Sequence, residues 1–425
     1  MKKVLIITYY WPPAGGSGVQ RWLKFVKYFS SFGVEPVIYT VENPNYPIED
    51  ISLINDIPKN IEVLKQPILE PNNLFSIFGK KKIESAGFLK SNPSFLGKLL
   101  QYIRANYFIP DARKFWVKPS VKYLKKYLKE NNIDVIITTG PPHSMHLIGL
   151  NLKRKLGVKW LADFRDPWTE IDYFHQLPLT KKAKEKHHFL EKEVLNEADA
   201  ILVVGNIMKE NFNQYNKNTH VITNGFDGEI TDVEVKLDSK FTLTHIGLMN
   251  SDRNPKMLWK VLAEIINENE DFKVDFELKL IGKVDDSVVN DILNFNLKKN
   301  VTIINYVAHN EVVEFQKKSQ ALLLIVNNVP SAKQIITGKI FEYLMAKRPI
   351  LAIAPKNGDL SEIIHETNSG EVVDFEDKVA LKKSILNLYS KFKQGKLTVE
   401  SKNIEQYHRR ELTKKVSDII NSISE

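Results

Sequence analysis

The stretch VLIITYYWPPAGGSGVQRW, residues 4–22, has the pattern with which an α/β fold begins. Its first four residues form an apolar run typical of a buried strand, and an amphipathic helical pattern begins near Val19. Between them, Gly15, Gly16 and Gly18 allow the backbone to approach a neighbour closely. A helix that begins there directs its free N–H groups at the same point. Because the spacing differs from the dinucleotide fingerprint, both a ligand-binding loop and a tight strand-to-helix turn fit it.

The composition indicates a soluble globular protein with two or three domains. The chain has 425 residues, of which 43% are hydrophobic and 26% are charged. We find no secretory signal pattern, and no apolar run approaches the roughly 20 residues of a membrane span. Cysteine is absent, which excludes disulfides, zinc–thiolate sites and cysteine nucleophiles. We therefore expect a cytoplasmic location.

Positive charge is concentrated in residues 71–130, which we call the basic segment. The chain has a net charge of +9, and this segment has thirteen Lys or Arg against three acidic residues. Aromatic and apolar residues are interleaved with these charges: Phe75, Phe78, Phe88, Phe95, Leu99, Leu100, Tyr102, Tyr107, Phe108 and Trp116. This mixture favours contact with an anionic surface, either lipid or nucleic acid. The alternative is a set of solvated helix faces over an ordinary core.

Strand and helix patterns alternate along the first half of the chain. Strands are predicted at Lys3–Thr8, Glu35–Val41, Ile61–Leu64, Asp134–Thr139, Lys159–Asp163, Ala200–Val204 and His220–Thr223. Helices are predicted at Val19–Phe32, Lys118–Asn131, Met145–Leu156, Lys181–Ala198 and Ile207–Tyr215. This alternation predicts a parallel sheet covered by helices on both faces.

The pattern stops at the polar stretch Asp227–Lys240, interpreted as a linker, and then restarts. Second-half strands are predicted at Thr242–Ile246, Phe276–Ile281, Val301–Tyr306, Ala321–Val326 and Ile350–Ala354. Helices are predicted at Met257–Asn267, Ser287–Leu297, Glu311–Lys318 and Thr337–Ala346. We therefore expect two α/β domains in tandem, with a ligand cleft between them.

Candidate site residues follow these strands, because loops at the carboxyl ends of parallel strands line the ligand crevice. In the first half the segments are the glycine loop, TTGPPHS with His143, DFRDPW with Asp163, Arg165 and Asp166, and TNGFD. In the second half they are HIGLMNSDRNP with Gly247 and Arg253, and QIITGKIFEYLMAKRPILAI with Thr337, Gly338, Lys339 and Glu342.

The second-half residues suit a nucleoside diphosphate. Arg253, Lys339 and the helix N–H groups around Gly338 can bind phosphate oxygens. Glu342 lies one helical turn beyond Lys339, so both side chains can point the same way. A carboxylate at that position can accept both hydroxyls of a ribose.

In order and spacing, these segments resemble the retaining, nucleotide-sugar-dependent glycosyltransferases of the GT-B fold, in particular glycosyltransferase family 4. The resemblance covers nearly the whole chain. It implies an α/β architecture of two Rossmann-like domains that face each other across a cleft. It implies an acceptor-side domain at residues 1–228, a donor-binding domain at 229–404, and a terminal helix at 405–425 that returns to the first domain.

The resemblance also implies a role for each candidate residue. Gly15 and Gly16 lie near the donor phosphates, and His143 lies beside the transferred sugar. The diphosphate is held by Arg253 and by one of two lysines, Lys339 or Lys256. The remaining donor-site residues are Gly247, Thr337, Gly338, Glu342 as the ribose ligand, and Gln334 where the family has the first glutamate of its Glu-x7-Glu motif. Asp163, Arg165 and Asp166 either bind the acceptor or form an internal ion-pair network.

The reaction implied is sugar transfer with retention, without a metal or any cofactor besides the nucleotide-sugar donor. No Asp-x-Asp pair occurs in the sequence to hold Mg²⁺, so Arg253 and a lysine would replace the metal. One alternative is a nucleotide-sugar epimerase in which Asp163 and Asp166 act as acid and base. Another is a non-enzymatic binder of membrane or nucleic acid through the basic segment.

The basic segment guides the expectation for the acceptor. No nucleic-acid-binding motif accompanies its charge, so we expect no nucleic-acid partner. An anionic membrane attracts the same charge. We therefore expect a lipid-linked or other saccharide acceptor in surface polysaccharide biosynthesis, and an enzyme that docks peripherally on the inner face of the cytoplasmic membrane.

Overall fold

The computed structural model describes residues 1–70, 95–171, 174–229, 235–305, 307 and 309–425. Three aromatic residues of the basic segment, Phe75, Phe78 and Phe88, lie outside the described residues, as does Tyr306 at the end of a predicted strand. The chain forms two compact units. The first unit comprises Met1–Asp227 and Arg409–Glu425, and the second comprises Gly228–His408.

Within its described residues, the first unit contains a parallel seven-stranded sheet with strand order β3-β2-β1-β4-β5-β6-β7. The strands are β1 (Lys2–Ile7), β2 (Val34–Val41), β3 (Glu62–Gln66), β4 (Val135–Gly140), β5 (Lys159–Phe164), β6 (Ala200–Val203) and β7 (Thr219–Val221). Side chains of β1 alternate between two apolar clusters, with Leu5 and Ile7 in one and Val4 and Ile6 in the other. The sheet is therefore buried on both faces, which explains the unbroken apolar run of the opening stretch.

Helices cover both faces of this sheet. They are α1 (Ser17–Phe29), α2 (Phe95–Tyr107), α3 (Lys114–Glu130), α4 (Ser144–Leu156), α5 (Lys181–Glu197) and α6 (Asn206–Phe212). Trp22, Phe25 and Phe29 of α1 pack in the same cluster as Val4 and Ile6.

The second unit repeats this plan. Its described residues contain a parallel six-stranded sheet with strand order β10-β9-β8-β11-β12-β13. The strands are β8 (Phe241–Ile246), β9 (Phe276–Ile281), β10 (Val301–Ile304), β11 (Ala321–Ile325), β12 (Ile350–Ile353) and β13 (Gly370–Val373). The helices are α7 (Lys256–Glu268), α8 (Glu270–Asp275), α9 (Asp286–Asn294), α10 (His309–Lys318), α11 (Lys339–Ala346), α12 (Asp359–Glu366) and α13 (Lys378–Lys393).

The predicted fold class is confirmed, since both units are Rossmann-like α/β domains with parallel sheets. Each predicted strand is present, with bounds that differ by at most two residues. No element was predicted for α2, for α8 or for the stretch directly beyond β12, where β13, α12 and α13 form. No helix in the described part of the chain is both long and apolar enough to cross a membrane.

The last helix, α14 (Arg409–Ser424), packs in the first unit against α1. Its Leu412, Val416, Ile420 and Ile423 are buried in the cluster that includes Trp22. The Arg409 N–H donates a hydrogen bond to the carbonyl oxygen of Phe226, at 2.8 Å. The chain therefore returns to complete the apolar core of its first unit.

Candidate functional site

In both sheets the winding reverses direction beside the first strand of the unit. This point lies between β1 and β4 in the first unit and between β8 and β11 in the second. In open parallel sheets, loops diverge at such a point and leave a ligand-binding crevice at the carboxyl ends of the strands. The candidate residues lie at these strand ends, in the loops that follow them, or on the helices that come next.

The three glycines of the opening loop have different structural roles. Gly16 precedes α1 with a φ of +87°, a backbone conformation that favours glycine. The Gly15 N–H donates to the carbonyl oxygen of Ile48 at 2.9 Å. A Cβ atom on Gly18 would lie 2.7 Å from Nη1 of Arg165, so the missing side chain makes room for that guanidinium. The contact of this loop with donor phosphates stays a prediction.

Asp163 is the centre of a buried polar network. Its side chain is fully buried, and its Oδ1 atom pairs with Nη2 of Arg21 at 2.9 Å. Its Oδ2 atom accepts hydrogen bonds from Nε1 of Trp22 at 2.7 Å and from Oγ1 of Thr139 at 2.8 Å. Arg21 also donates to the carbonyl oxygen of Thr223 at 2.8 Å. For Asp163, these contacts favour the internal ion-pair interpretation over acceptor binding.

Arg21 and Trp22, which complete this network, were not among the predicted site residues. The sequence did contain an indication that Arg21 is buried and paired, because this charged residue adjoins the apolar positions of α1. A fully buried arginine requires a carboxylate partner. The sequence did not reveal that this partner was Asp163, since the two residues are far apart along the chain.

Arg165 and Asp166 follow β5 and differ in exposure. Arg165 is half-buried, its N–H donates to the carbonyl oxygen of Gly140 at 3.0 Å, and its guanidinium donates to the carbonyl oxygen of Pro141. Asp166 is exposed. Two of the three acceptor-side candidates carry a carboxylate, Asp163 and Asp166. The carboxylate of Asp163 is buried, so only that of Asp166 is accessible to a molecule in solution.

His143 lies directly before α4, with 8% of its surface exposed. Its ring stacks on the indole of Trp168, with ring centres 4.9 Å apart and planes inclined by 5°. Burial lowers the pKa of His143 well below its usual value, and the neighbouring His146, Arg165 and His187 act in the same direction. The imidazole is therefore neutral at pH 7 and can offer one nitrogen as a hydrogen-bond donor and the other as an acceptor.

Two side chains of helix α5 hydrogen-bond to Trp168 and its neighbour, and so fix the ring on which His143 stacks. Nε1 of Trp168 donates to Nδ1 of His187 at 3.0 Å. The Glu191 carboxylate accepts the backbone N–H groups of Trp168 and Thr169, at 3.1 and 3.2 Å, and also the Thr169 hydroxyl. His187 and Glu191 were not among the predicted site residues, although their spacing of four residues places them on one helical face.

In the second unit, Lys339 is the first residue of α11 and its side chain crosses Gly247. A Cβ atom on Gly247, where φ is +115°, would lie 2.5 Å from Cε of Lys339. The Lys339 Nζ atom lies 3.4 Å from Nε2 of His245. The pKa of Lys339 is lowered to about 7, chiefly by burial and also by the charge of Arg253, while the charge of Glu342 opposes this shift.

The two candidate lysines have different surroundings. Arg253 lies in the turn after β8, half-buried, with Nη1 donating to the carbonyl oxygen of Leu248 at 2.8 Å. Lys339 is close enough to Arg253 for the two charges to interact. Lys256 is exposed at the start of α7. The structure therefore brings Lys339, rather than the exposed Lys256, within electrostatic reach of Arg253, and the binding of a diphosphate by either lysine stays a prediction.

The first turn of α11 carries the other donor-site candidates. Gly338 precedes the helix, and among the described residues no atom beyond its neighbours along the chain lies within 4 Å of its Cβ position. Oγ1 of Thr337 accepts a hydrogen bond from the Lys339 N–H at 3.4 Å. Glu342 is exposed, and its Oε2 atom accepts a hydrogen bond from Nε2 of Gln316 at 3.1 Å. Gln334 ends a short turn, Ala332–Gln334, upstream of the helix.

This part of the second unit combines a lysine, an arginine, the N-terminus of a helix and a carboxylate one turn along that helix. Cations and helix N-termini bind phosphate oxygens. A carboxylate accepts hydrogen bonds from sugar hydroxyls. The arrangement has the chemistry needed to bind a nucleoside diphosphate.

Two family models match the chain, one in each unit. Glycosyltransferase Family 4 matches residues 85–229, and Glycosyl transferases group 1 matches residues 240–391. A comparison with curated protein sequences gave no significant match.

Solved structures of low sequence identity share the fold. WaaG, a glycosyltransferase involved in lipopolysaccharide biosynthesis, is 13% identical over 98% of this chain and 99% of its own, with a TM-score of 0.55. A Staphylococcus aureus TarM mutant, solved with fondaparinux, α-GlcNAc-glycerol and UDP, is 13% identical over 100% and 98%, with a TM-score of 0.54. The UDP-GlcNAc 2-epimerase of Methanocaldococcus jannaschii is 13% identical over 99% of both chains, with a TM-score of 0.53.

Two Rossmann-like units, each matched by a glycosyltransferase model, define a glycosyltransferase of the GT-B type. More particularly, the chain belongs to the glycosyltransferases that join a family 4 domain to a group 1 domain. The fold by itself did not separate this enzyme from an epimerase, because both classes share it.

Proposed function

We propose that the enzyme transfers a sugar from a nucleoside diphosphate sugar to a hydroxyl acceptor with retention and without a metal ion. The observation that carries this proposal is that two cations, Lys339 at the start of α11 and Arg253 in the turn after β8, lie close enough for their charges to interact, with Glu342 one helical turn beyond Lys339. The solved TarM mutant, which shares the fold, binds UDP.

The barrier to transfer is the departure of the nucleoside diphosphate, as positive charge develops on the sugar. Arg253, Lys339 and the positive end of the α11 helix dipole stabilise the negative charge that grows on the leaving phosphate. Glu342 holds the ribose and so fixes the donor. His143, which is neutral, positions the transferred sugar through a hydrogen bond. It does not act as the general base for the acceptor hydroxyl.

The decisive assay incubates the purified protein with a panel of UDP- and GDP-sugars and simple saccharide acceptors. We expect release of nucleoside diphosphate, a product with the anomeric configuration of the donor by NMR, and no loss of activity with EDTA. A product with inverted configuration would overturn the retaining mechanism, and EDTA inhibition reversed by Mg²⁺ would overturn metal independence. Epimerised donor without transfer would identify an epimerase.

We further propose that the acceptor is a lipid-linked saccharide at an anionic membrane. Helices α2 and α3 carry apolar side chains with high exposure, including Phe95 at 86%, Tyr107 at 65% and Phe115 at 49%. Exposed cations accompany them, namely Lys98, Arg104, Lys118, Lys122, Lys125, Lys126 and Lys129. An anionic bilayer attracts each such cation by about 1 kcal/mol. WaaG, which shares the fold, is involved in lipopolysaccharide biosynthesis.

Co-sedimentation with vesicles of increasing anionic lipid content tests this surface. The double variant Lys122→Glu and Lys125→Glu should weaken binding at low salt by on the order of tenfold or more. The matched control, Lys298→Glu and Lys299→Glu, changes the same charge at exposed positions of the second unit and should bind as the wild type does. Equal losses in both variants, or no binding to any vesicle, would reject the membrane surface and favour a soluble acceptor.

A further inference from the structure

We propose that His245 is a positioning residue for Lys339: its ring accepts a hydrogen bond from the ammonium group and holds that group in place for the diphosphate. His245 is the last residue but one of β8, and its side chain is buried. The part of this proposal that concerns the diphosphate rests on the proposed function. The contact between the two side chains can be tested without a nucleotide.

One ring nitrogen of His245 is anchored on the neighbouring strand of the sheet. Nδ1 lies 3.1 Å from the carbonyl oxygen of Leu323, on β11. A carbonyl oxygen can only accept, so the contact is a hydrogen bond when Nδ1 carries the proton. A lone pair on Nδ1 would leave two acceptors against each other in a buried site, which is unfavourable. Nδ1 of His245 is therefore protonated.

The ring of His245 is neutral, so its other nitrogen has a lone pair. Burial lowers the pKa of His245 well below its usual value, and the positive charges of Lys339 and Arg253 act in the same direction. The carbonyl oxygens of Leu323 and Leu248 oppose this shift. A neutral imidazole has one N–H and one lone pair. With the proton on Nδ1, Nε2 can only accept a hydrogen bond.

The acceptor nitrogen of His245 lies within hydrogen-bond distance of Lys339. Its Nε2 atom is 3.4 Å from Nζ of the lysine. An ammonium group can only donate, so the polarity of this contact agrees with the tautomer that the Leu323 carbonyl sets. Two hydrogen bonds thus run in sequence from Lys339 through His245 to β11.

Gly247, two residues beyond His245, makes room for the lysine side chain. A Cβ atom on Gly247 would lie 2.5 Å from Cε and 2.7 Å from Nζ of Lys339. The lysine therefore passes over the Gly247 backbone and ends at the His245 ring. A side chain that is already held loses less conformational freedom when it binds a ligand.

A neutral acceptor suits a lysine that binds phosphate. A carboxylate in place of the imidazole would cancel the charge of the ammonium group and would repel a bound phosphate. The neutral ring of His245 holds the ammonium group and leaves its charge for the diphosphate. An ammonium group has three N–H groups, and the bond to His245 leaves the others for phosphate oxygens. His245 therefore acts through Lys339.

NMR of the full chain labelled with ¹⁵N-histidine tests the contact without a nucleotide, because protonated and unprotonated ring nitrogens have different shifts. The signals of His245 are those missing from His245→Gln. Correlation of the ring with the assigned backbone of His245 identifies them if that variant does not fold. At pH 6, below the pKa of about 7 of Lys339, we expect a neutral ring with the proton on Nδ1.

Loss of the lysine or of its proton should alter one nitrogen of this ring. Lys339→Met removes the donor and should move the Nε2 resonance, while Nδ1 stays protonated. The wild-type Nε2 resonance should also move as Lys339 loses its proton between pH 6 and pH 9. The matched control, Lys260→Met, removes an exposed lysine of α7 and should change neither signal. A wild-type ring that is charged or protonated on Nε2, or an Nε2 resonance that ignores both changes, would overturn the proposal.

Calorimetry of UDP and GDP binding at pH 7 tests the effect on the ligand. The amide nitrogen of asparagine reaches about the position of Nδ1, so His245→Asn keeps the bond to Leu323 and loses the contact with Lys339. The amide oxygen of glutamine reaches about the position of Nε2, so His245→Gln keeps an acceptor for Lys339. We expect His245→Asn to weaken binding of the tighter nucleotide about tenfold, the value of one hydrogen bond, and His245→Gln to weaken it by about threefold at most.

A merely structural role for His245 predicts the opposite order, since asparagine preserves the anchor on β11. Equal losses in the two variants, or a larger loss in His245→Gln, would contradict the positioning role. With Lys339→Met in both variants, the difference between them should vanish. If the wild type binds neither nucleotide, the proposed function fails while the NMR result still decides whether His245 holds Lys339.

Discussion

Binding of a nucleoside diphosphate should weaken steeply as the pH rises above neutrality, because Lys339 must be protonated to pair with phosphate. Burial, together with the charge of Arg253, lowers the pKa of Lys339 from its ordinary 10.5 to about 7 in the free protein. A bound diphosphate supplies negative charge beside the ammonium group and raises that pKa again. The protonated form is favoured by the ligand, so affinity is highest below pH 7 and is lost as the pH rises through 7.

The size of the effect follows from linkage. If the bound phosphates restore the ordinary pKa of 10.5, affinity falls about 50-fold between pH 7 and pH 9. Binding then takes up about 0.5 proton at pH 7 and about 0.9 proton at pH 8. The second pKa of a terminal phosphate is about 6, so the phosphate is already ionised above pH 7. Ionisation of the ligand therefore adds little to the pH dependence of the affinity.

Isothermal titration calorimetry measures both quantities. Whichever of UDP and GDP binds more tightly is titrated at pH 7, 8 and 9, each in two buffers of different ionisation enthalpy, to give the affinity and the proton uptake. In Lys339→Met the pH dependence should disappear. Lys256→Met is the matched control, since it removes the exposed lysine of α7 and should keep the pH dependence.

Two results would refute this reasoning. A wild-type affinity that stays level from pH 7 to pH 9 would show that Lys339 does not titrate against the ligand. A slope that survives Lys339→Met and disappears in Lys256→Met would assign the diphosphate to the other lysine.

Three further outcomes are expected. Glu342→Ala should weaken UDP or GDP binding by about 1–3 kcal/mol through lost hydrogen bonds to the ribose, and an unchanged calorimetric affinity would remove Glu342 from that role. Arg253→Ala should lower kcat by on the order of 100-fold while changing donor affinity less, because leaving-group charge grows in the transition state; equal losses would indicate uniform binding. Truncation before Arg409 should lower the melting temperature of the first unit by removing apolar side chains buried against α1, and an unchanged melting curve would contradict that packing.

Much of the fold was predictable because its signals are local. The unbroken apolar runs of the central strands and the amphipathic stretches between them are properties of short segments, and they predicted two parallel sheets with helices on both faces. The stretch beyond β12 was missed for a related reason. Three of the four residues of the edge strand β13, GEVV, are only half-buried, so its sequence carries little apolar signal.

The sequence by itself also placed the candidate site residues at strand ends, because parallel strands direct their following loops to one edge of the sheet. Tertiary structure decided what those residues contact. Asp163 pairs with Arg21, 142 positions away, and is thereby buried in an ion pair. Burial and the nearby charge of Arg253 distinguish Lys339 from the exposed Lys256, although both lysines precede or begin a helix. Burial and pairing depend on side chains that come together only when distant segments pack, so spacing along the chain could not predict them.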